Sequence, residues 1–164
     1  MNKLGALVVI FSTIIVSSCS VISFDNDAEY EVTSGHSFGF CLGPCTQTLN
    51  LNWQSRQAEF VIRYSEFQDN SVSFREEVIP TTFSDQVWDE MLEEVKSVDD
   101  FNSFEEVYGC PDCADGGAEW IEIIDRSGTH RVTFEFGGNV KGLDNLILLF
   151  RNKRMALSEQ HVSQ

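Results

Sequence analysis

Two close pairs of cysteines are the residues of this sequence with the clearest capacity for chemistry. The first pair lies in the segment Cys41-Leu42-Gly43-Pro44-Cys45, and the second lies in Cys110-Pro111-Asp112-Cys113. Both segments contain Pro, and each lies just before a predicted strand. Four cysteines arranged in this way can form disulfides, bind zinc or perform thiol–disulfide exchange.

Disulfides are the interpretation that the sequence favours for Cys41, Cys45, Cys110 and Cys113, because the chain begins with an export signal, described below. On the chain-entropy model, bridges between the two pairs would close loops of roughly 70 residues and stabilise the fold by ~4 kcal/mol, against ~2 kcal/mol for local bridges. We therefore expect bridges between the pairs, joining the first predicted strand to the fourth, although local pairing stays open.

Zinc binding and thiol redox chemistry are the alternatives for these four cysteines. Four thiolates on two turns match a closed tetrahedral zinc site, which would be structural because no position remains for water. The run Cys110-Pro-Asp-Cys113 is similar to the motif of thioredoxin-like proteins, where a helix N-terminus lowers the thiol pKa. Residues 114–117, Ala-Asp-Gly-Gly, are a poor helix start. Zinc is thus the alternative cofactor, and otherwise we expect none.

Two further motifs match catalytic or metal-binding patterns only in part. Ser37 lies in a Gly-x-Ser-x-Gly run and precedes Asp125 and His130 in the chain order of an α/β-hydrolase triad. The buried strand and following helix that such a nucleophile requires are not predicted around it. We therefore assign no catalytic residue, and an enzyme is the less favoured interpretation.

The acidic residues Asp112, Asp115 and Glu119 surround Gly116, as in a calcium loop. Aligning Gly116 with the sixth position of an EF-hand places Pro111 at the first position, where Asp is required. The EF-hand match therefore fails, so solvated loop carboxylates are the favoured interpretation and a looser divalent-ion site is the alternative.

The elements that position these residues follow from hydrophobic periodicity. Alternating or apolar runs predict strands at 46–53, 58–67, 72–79, 119–125 and 129–136. Ser84 is predicted to cap a helix with apolar residues at helical spacing up to Val98, and a second amphipathic helix covers 143–154. Pro80 is expected to end the third strand. Arg151, Lys153 and Arg154 are expected to favour the C-terminal dipole of the second helix.

These elements predict an α+β domain with a mainly antiparallel sheet of about five strands and two helices, in the order β-β-β-α-β-β-α. We place this domain at residues 34–156, after a polar tether at 19–33 and before a flexible tail at 157–164. The size suits one globular domain, because the chain has 164 residues with 42% hydrophobic and 12% aromatic composition.

The first 18 residues have the anatomy of a secretory signal peptide. Lys3 precedes an apolar run at 4–16, which is too short for the ~20 residues that span a bilayer. The run Val16-Ser17-Ser18-Cys19 resembles the bacterial lipobox, which implies cleavage before Cys19 and its modification with a diacylglyceryl thioether and an acyl chain such as palmitate. Lipidation of one of the five cysteines leaves four for pairing.

The predicted location is the cell envelope, with the membrane as a partner through the N-terminal lipid. Ser20, rather than Asp, favours the outer membrane within the same lipobox resemblance. The 26 acidic residues against 11 basic ones give a net charge of −15, which excludes nucleic acid as a partner. An envelope protein or a small ligand is left open as a further partner.

The two cysteine motifs together resemble uncharacterised exported bacterial domains found on lipoproteins. The first is Phe38-Gly39-x-Cys41-x-Gly43-x-Cys45, and the second runs from Gly109 to Trp120 and includes Cys-Pro-Asp-Cys-Ala-Asp-Gly-Gly. The resemblance spans roughly residues 34–151 and implies no known activity. The resulting prediction is a lipid-anchored, non-enzymatic binding or structural domain with disulfides, and the alternative is an exported zinc-binding or thiol-redox protein.

Overall fold

The structure, a computed structural model, describes residues 30–162. The predicted signal peptide, Cys19 and the tether up to residue 29 lie outside this region. The elements are β1 (Glu31–Ser37), β2 (Gly43–Asn52), β3 (Gln57–Gln68), β4 (Ser71–Thr81), α1 (Asp85–Ser97), β5 (Val107–Tyr108), β6 (Ala118–Asp125), β7 (Gly128–Glu135) and α2 (Asp144–His161). Strand β1 thus begins within the segment assigned to the tether, and α2 continues past residue 156.

All the strands described belong to one sheet with the order β4-β3-β2-β1-β6-β7-β5. Neighbouring strands are antiparallel, except that β5 runs parallel to β7. The prediction of an α+β domain with about five mainly antiparallel strands is therefore wrong. Residues 30–162 form a seven-stranded mixed sheet with two α-helices, in the order β-β-β-β-α-β-β-β-α.

Strand β1 was missed, although it occupies the centre of the sheet. Its sequence, EVTSGHS, carries one large apolar side chain, Val32, while Ser34 and His36 occupy the other positions on the same face. A buried strand normally has apolar residues there. In β1 these positions are instead filled by polar groups whose partner, Arg154, lies on α2. Strand β5 was missed because two residues carry no periodicity.

Helix α1 begins where the sequence predicts. The Ser84 hydroxyl accepts a hydrogen bond from the Val87 N–H at 3.4 Å, and Trp88, Met91 and Val95 are its buried residues. Strand β4, in contrast, continues through Pro80 to Thr81, and the prediction that Pro80 ends the strand is wrong. A proline is tolerated there because β4 lies at the edge of the sheet, where a backbone nitrogen that faces away from β3 donates no hydrogen bond within the sheet.

The two helices cover one face of the sheet, here called the core face. Strands β2, β3, β6 and β7 direct apolar residues to this face with a period of two, and the cross-strand registers align them in rows. One such row joins Phe60, Leu49, Ser34, Ile121 and Val132. The opposite face, here called the outer face, is covered by no helix or strand within residues 30–162.

The helices pack into the same hydrophobic core as the sheet. The buried apolar residues that form this core include Trp88 and Met91 of α1 and Leu146, Ile147 and Phe150 of α2. No helix within the described residues has the length and apolar character required to cross a membrane.

Gly35 and Trp120 form a close contact on the outer face at the centre of the sheet. They are directly paired across β1 and β6, and a Cβ atom on Gly35 would overlap the indole ring. Arg131 lies over the same ring, with its Cζ 5.2 Å from the centroid. The indole N–H of Trp120 is buried and has no hydrogen-bond partner among the described residues. Gly35 therefore provides the space in which this ring lies over the backbone of β1.

The substitution Gly35→Ala is expected to lower the free energy of unfolding by about 1–3 kcal/mol, because the added methyl displaces the indole. Urea denaturation measures this change. The double variant G35A/W120L is the control, since the smaller side chain leaves room for the methyl, and there the effect of Gly35→Ala should shrink to below about 0.5 kcal/mol. An equal cost in both backgrounds would contradict the proposed contact.

Candidate functional site

The four cysteines of the described region form two local disulfides at the same end of the sheet. Cys41 is bonded to Cys45 and Cys110 to Cys113, with Cα atoms 5.5 Å apart in each pair. The preferred pairing between the two segments is therefore wrong. A long bridge restricts the unfolded chain more and so stabilises a fold more, but here each turn brings its own two cysteines within bonding reach.

The two disulfide loops are joined by hydrogen bonding and aromatic packing, not by sulfur. The backbone N–H of Gly39 donates to Asp112 Oδ1 at 3.1 Å. The rings of Phe38 and Phe136 lie 4.8 Å apart, and Phe38 also contacts Gly117 closely enough to exclude a Cβ there. These contacts hold the first loop beside the second, and no covalent bond connects the two disulfides.

Zinc binding would require free thiolates, and thioredoxin-like redox chemistry would require an α-helix N-terminus beside the cysteines. All four thiols are consumed in disulfides, and no group of three or more His, Cys, Asp or Glu within residues 30–162 could hold a metal ion. Cys113 opens a 3₁₀ segment of three residues, in which Ala114 has φ of 52°. This segment is not the α-helix N-terminus that lowers the pKa of thioredoxin-like cysteines.

The structure separates the residues of the catalytic pattern. Ser37 ends β1 opposite Ala118, at the disulfide end of the sheet, whereas Asp125 pairs with Gly128 at the other end. His130 faces the core, and its Nε2 lies 2.9 Å from the carbonyl oxygen of Phe104. Ser37, Asp125 and His130 therefore cannot act as a triad.

The three acidic residues of the calcium-like loop also have different surroundings. Asp112 accepts a hydrogen bond from the Gly39 N–H. Asp115 is exposed, and its backbone φ is 59°. Glu119 is only 1% exposed and is directed toward α2 on the core face. The three carboxylates thus do not converge.

A buried charged cluster, defined as Ser34, His36, Glu119, Arg151 and Arg154, lies on the core face next to the disulfide loops. Arg154 is 1% exposed and donates to the Ser34 hydroxyl at 2.6 Å, to His36 Nδ1 at 3.1 Å and to the Glu119 carboxylate. The Nε of Arg151 donates to both oxygens of Glu119 at 3.0 Å. One carboxylate therefore holds two guanidinium groups that come from the same helix.

This cluster was not predicted, and the signal for it was misinterpreted. The basic residues near the end of the second predicted helix were expected to favour the helix dipole. Helix α2 instead continues to His161, so Arg151 and Arg154 lie inside it and point toward the sheet. The signal available in the sequence was their spacing: three residues apart places both on one helix face, beside the apolar Ile147 and Phe150.

Burial and the neighbouring charges shift the pKa values within the charged cluster. Burial, with a smaller contribution from the Arg154 charge, lowers the pKa of His36 to about 4. Burial alone would raise the pKa of Glu119, but hydrogen bonds and charge from Arg151 and Arg154 outweigh it and lower that pKa. His36 is therefore neutral at pH 7 and accepts the Arg154 N–H. The cluster then carries two positive charges and one negative charge.

The outer side of the β3–β4 hairpin is apolar and uncovered within the described residues. Strands β3 and β4 extend past the last pair with β2, Gly43–Ser65, and have only each other as partners from there to the turn. Phe67 is 60% exposed and Phe74 is 65% exposed. Five side chains share the outer face of this hairpin, and we call them the apolar hairpin face: Val61, Phe67, Val72, Phe74 and Val78.

The first disulfide loop extends this apolar region. Phe40 is 90% exposed and Leu42 is largely exposed beside it. A cavity of about 170 Å³ lies between the loop and the hairpin and is lined by Cys41, Arg63 and Phe74, among others. Pockets for drug-sized ligands usually have volumes of about 300–1,000 Å³. The region is thus better suited to contact with a macromolecular surface than to enclosing a small molecule.

No protein-family model and no curated protein matches this chain. The function of the chain is therefore inferred from the geometry of the described residues. Two features of that geometry are shown: a small domain with two disulfides, and an exposed apolar hairpin face at the disulfide end.

The shifted pKa of His36 predicts a pH dependence of stability. The unfolded histidine binds a proton below about pH 6.5, and the folded one binds it only near pH 4. The contribution of His36 to the free energy of unfolding is therefore fully present above about pH 6.5. It decreases as the pH falls toward 4, by at most about 3 kcal/mol because partial exposure screens the effect. Urea denaturation at several pH values measures it.

The variant His36→Gln is the matched control, since its amide oxygen can still accept from Arg154 but does not titrate. Its stability should change much less between about pH 6.5 and 5.5, above the range in which most carboxylates bind protons. Equal slopes for the two proteins in this window would refute the assignment to His36.

Proposed function

We propose that the chain is an exported lipoprotein, anchored in the cell envelope through a lipid on Cys19, whose domain binds a protein partner with the apolar hairpin face. The single observation that carries the binding function is this face, because five apolar side chains share one side of the β3–β4 hairpin and four of them are half exposed or more. Exposed apolar patches of this kind mark interaction sites in soluble domains. The role needs no catalytic residue.

The disulfides support the exported location, because such bonds persist in oxidising compartments. The lipobox resemblance and the signal-peptide pattern support anchoring at Cys19. Two or more acyl chains are needed for lasting attachment, and a triacylated cysteine supplies them.

The direction of the chain favours a protein partner over the membrane surface. The described chain begins at Tyr30, at the end of the sheet where Glu31 pairs with Asn52. The tip of the β3–β4 hairpin and both disulfide loops lie at the other end. A tether to Cys19 thus joins the domain opposite the apolar hairpin face, and the net charge of −15 opposes contact with anionic lipid.

The proposed function is tested with the full chain in a bacterial host that processes lipoproteins. A photoreactive phenylalanine analogue replaces Phe74 on the hairpin, and in a separate protein it replaces Leu148, an exposed apolar residue of α2 that serves as the matched control. Irradiation should yield protein adducts at position 74 and not at 148. Adducts with lipid alone, or equal adducts at both positions, would contradict the proposed surface.

Anchoring is measured in the same cells. The protein should sediment with membranes, globomycin should block its processing, and Cys19→Ala should leave the precursor uncleaved. Normal cleavage of the Cys19→Ala protein into a form released from membranes would contradict the lipidation, whatever the result at Phe74.

A further inference from the structure

The free edge of β4 is a second interaction surface. Strand β4 is the terminal strand of the sheet, and the backbone groups on its outer edge have no strand partner within residues 30–162. Monomeric proteins usually protect such edges with short strands, lysines, bulges or covering segments. Strand β4 has eleven residues, no Lys and no bulge against β3. The features of this edge that oppose nonspecific pairing are Pro80, near its end, and the charged run Arg75-Glu76-Glu77.

The charge order of β4 is complementary to itself in antiparallel pairing. Arg75, Glu76 and Glu77 lie at the middle of the strand. Two copies that continue one sheet must pair residues of the same face, so the register can change only in steps of two. Among these registers, the one centred on Glu76 places Arg75 opposite Glu77 of the second copy, and Glu77 opposite Arg75 of the second copy.

The same register also matches the outer face. It places Phe74 opposite Val78 of the second copy, so that the apolar hairpin faces of the two copies become continuous. Cross-strand apolar pairs of this kind and opposite charges both stabilise a sheet. Glu76 meets Glu76 of the second copy at the centre, and Arg63, which lies opposite Glu76 on β3 in each copy, flanks this pair with positive charge.

We propose that β4 pairs antiparallel with β4 of a second copy of this chain, in the register centred on Glu76. This inference rests on the proposed function and goes beyond it, since it places a second copy at the edge of β4, beside the apolar hairpin face. Anchoring two copies in one membrane raises their effective concentration, so that even a modest edge contact suffices. The paired hairpins then present a single apolar surface twice as wide.

Cross-linking of the full chain tests the register. In an antiparallel pair, opposed Cα atoms lie about 4.5–5.5 Å apart, within the range of a disulfide. The variant Glu76→Cys should therefore form a covalent dimer on a non-reducing gel. The matched control is Val78→Cys on the same face of β4, because its counterpart in the second copy lies four residues, or about 13 Å, out of register. It should remain monomeric.

Charge exchange tests whether the partner is a second copy. Arg75→Glu and Glu77→Arg each place like charges opposite one another and should weaken self-association. Differently tagged R75E and E77R proteins, produced together, regain two opposite-charge pairs. They should co-purify about tenfold more than either variant does with itself. The double variant R75E/E77R should pair with itself as the unmodified chain does.

These results separate the two proposals. An E76C dimer without membrane sedimentation of the chain would sustain the pairing and refute the anchoring. Anchored protein that gives no E76C dimer, or gives equal dimer from V78C, would overturn the pairing while leaving the lipoprotein in place. Equal co-purification of all R75E and E77R combinations would also overturn it. Adducts at Phe74 with a different protein, and none with a second copy, would likewise refute self-pairing while preserving the apolar hairpin face.

Discussion

The ion pair between Glu119 on β6 and Arg154 on α2 is the contact on which the rest of the structure depends. The central strand β1 places Ser34 and His36 on the core face near the disulfide loops, where most strands place apolar side chains. Arg154 bonds to both residues and to Glu119, and Arg151 completes the coordination of that carboxylate. Because removal of one partner would leave a buried charge uncompensated, the cluster fixes α2 above β1 and β6.

The sequence could predict the elements whose own hydrophobic pattern shows which side is buried. The alternation in β2 and β3, and the helical spacing from Val87 to Val98, report directly which side of each element is buried. Strand β1 could not be predicted, because its polar side chains are matched by an arginine about 120 residues later in the chain. The role of Arg151 and Arg154 could not be predicted for the same reason, because their partner Glu119 resembled a loop carboxylate beside Asp115.

The disulfide pairing and the free edge of β4 could not be predicted for a different reason. The larger stabilisation that long bridges provide favoured pairing between the segments, whereas the folded loops bring each cysteine to its near neighbour. The strand at 72–79 was predicted from its apolar residues, but a strand pattern does not say which edge stays free. The position of β4 at the end of the sheet follows from the order of all the strands. That order makes Phe74 and Arg75 available to a partner.

A double-mutant cycle on Glu119 and Arg154 tests the central structural claim most directly. The free energy of unfolding would be measured for the unmodified chain, for Glu119→Leu, for Arg154→Met and for the double variant. We expect Glu119→Leu to cost about 3–5 kcal/mol, because it leaves two guanidinium groups without their carboxylate. The double variant should cost less than the sum of the single variants by about 2 kcal/mol or more. Additive effects within about 0.5 kcal/mol would contradict the account.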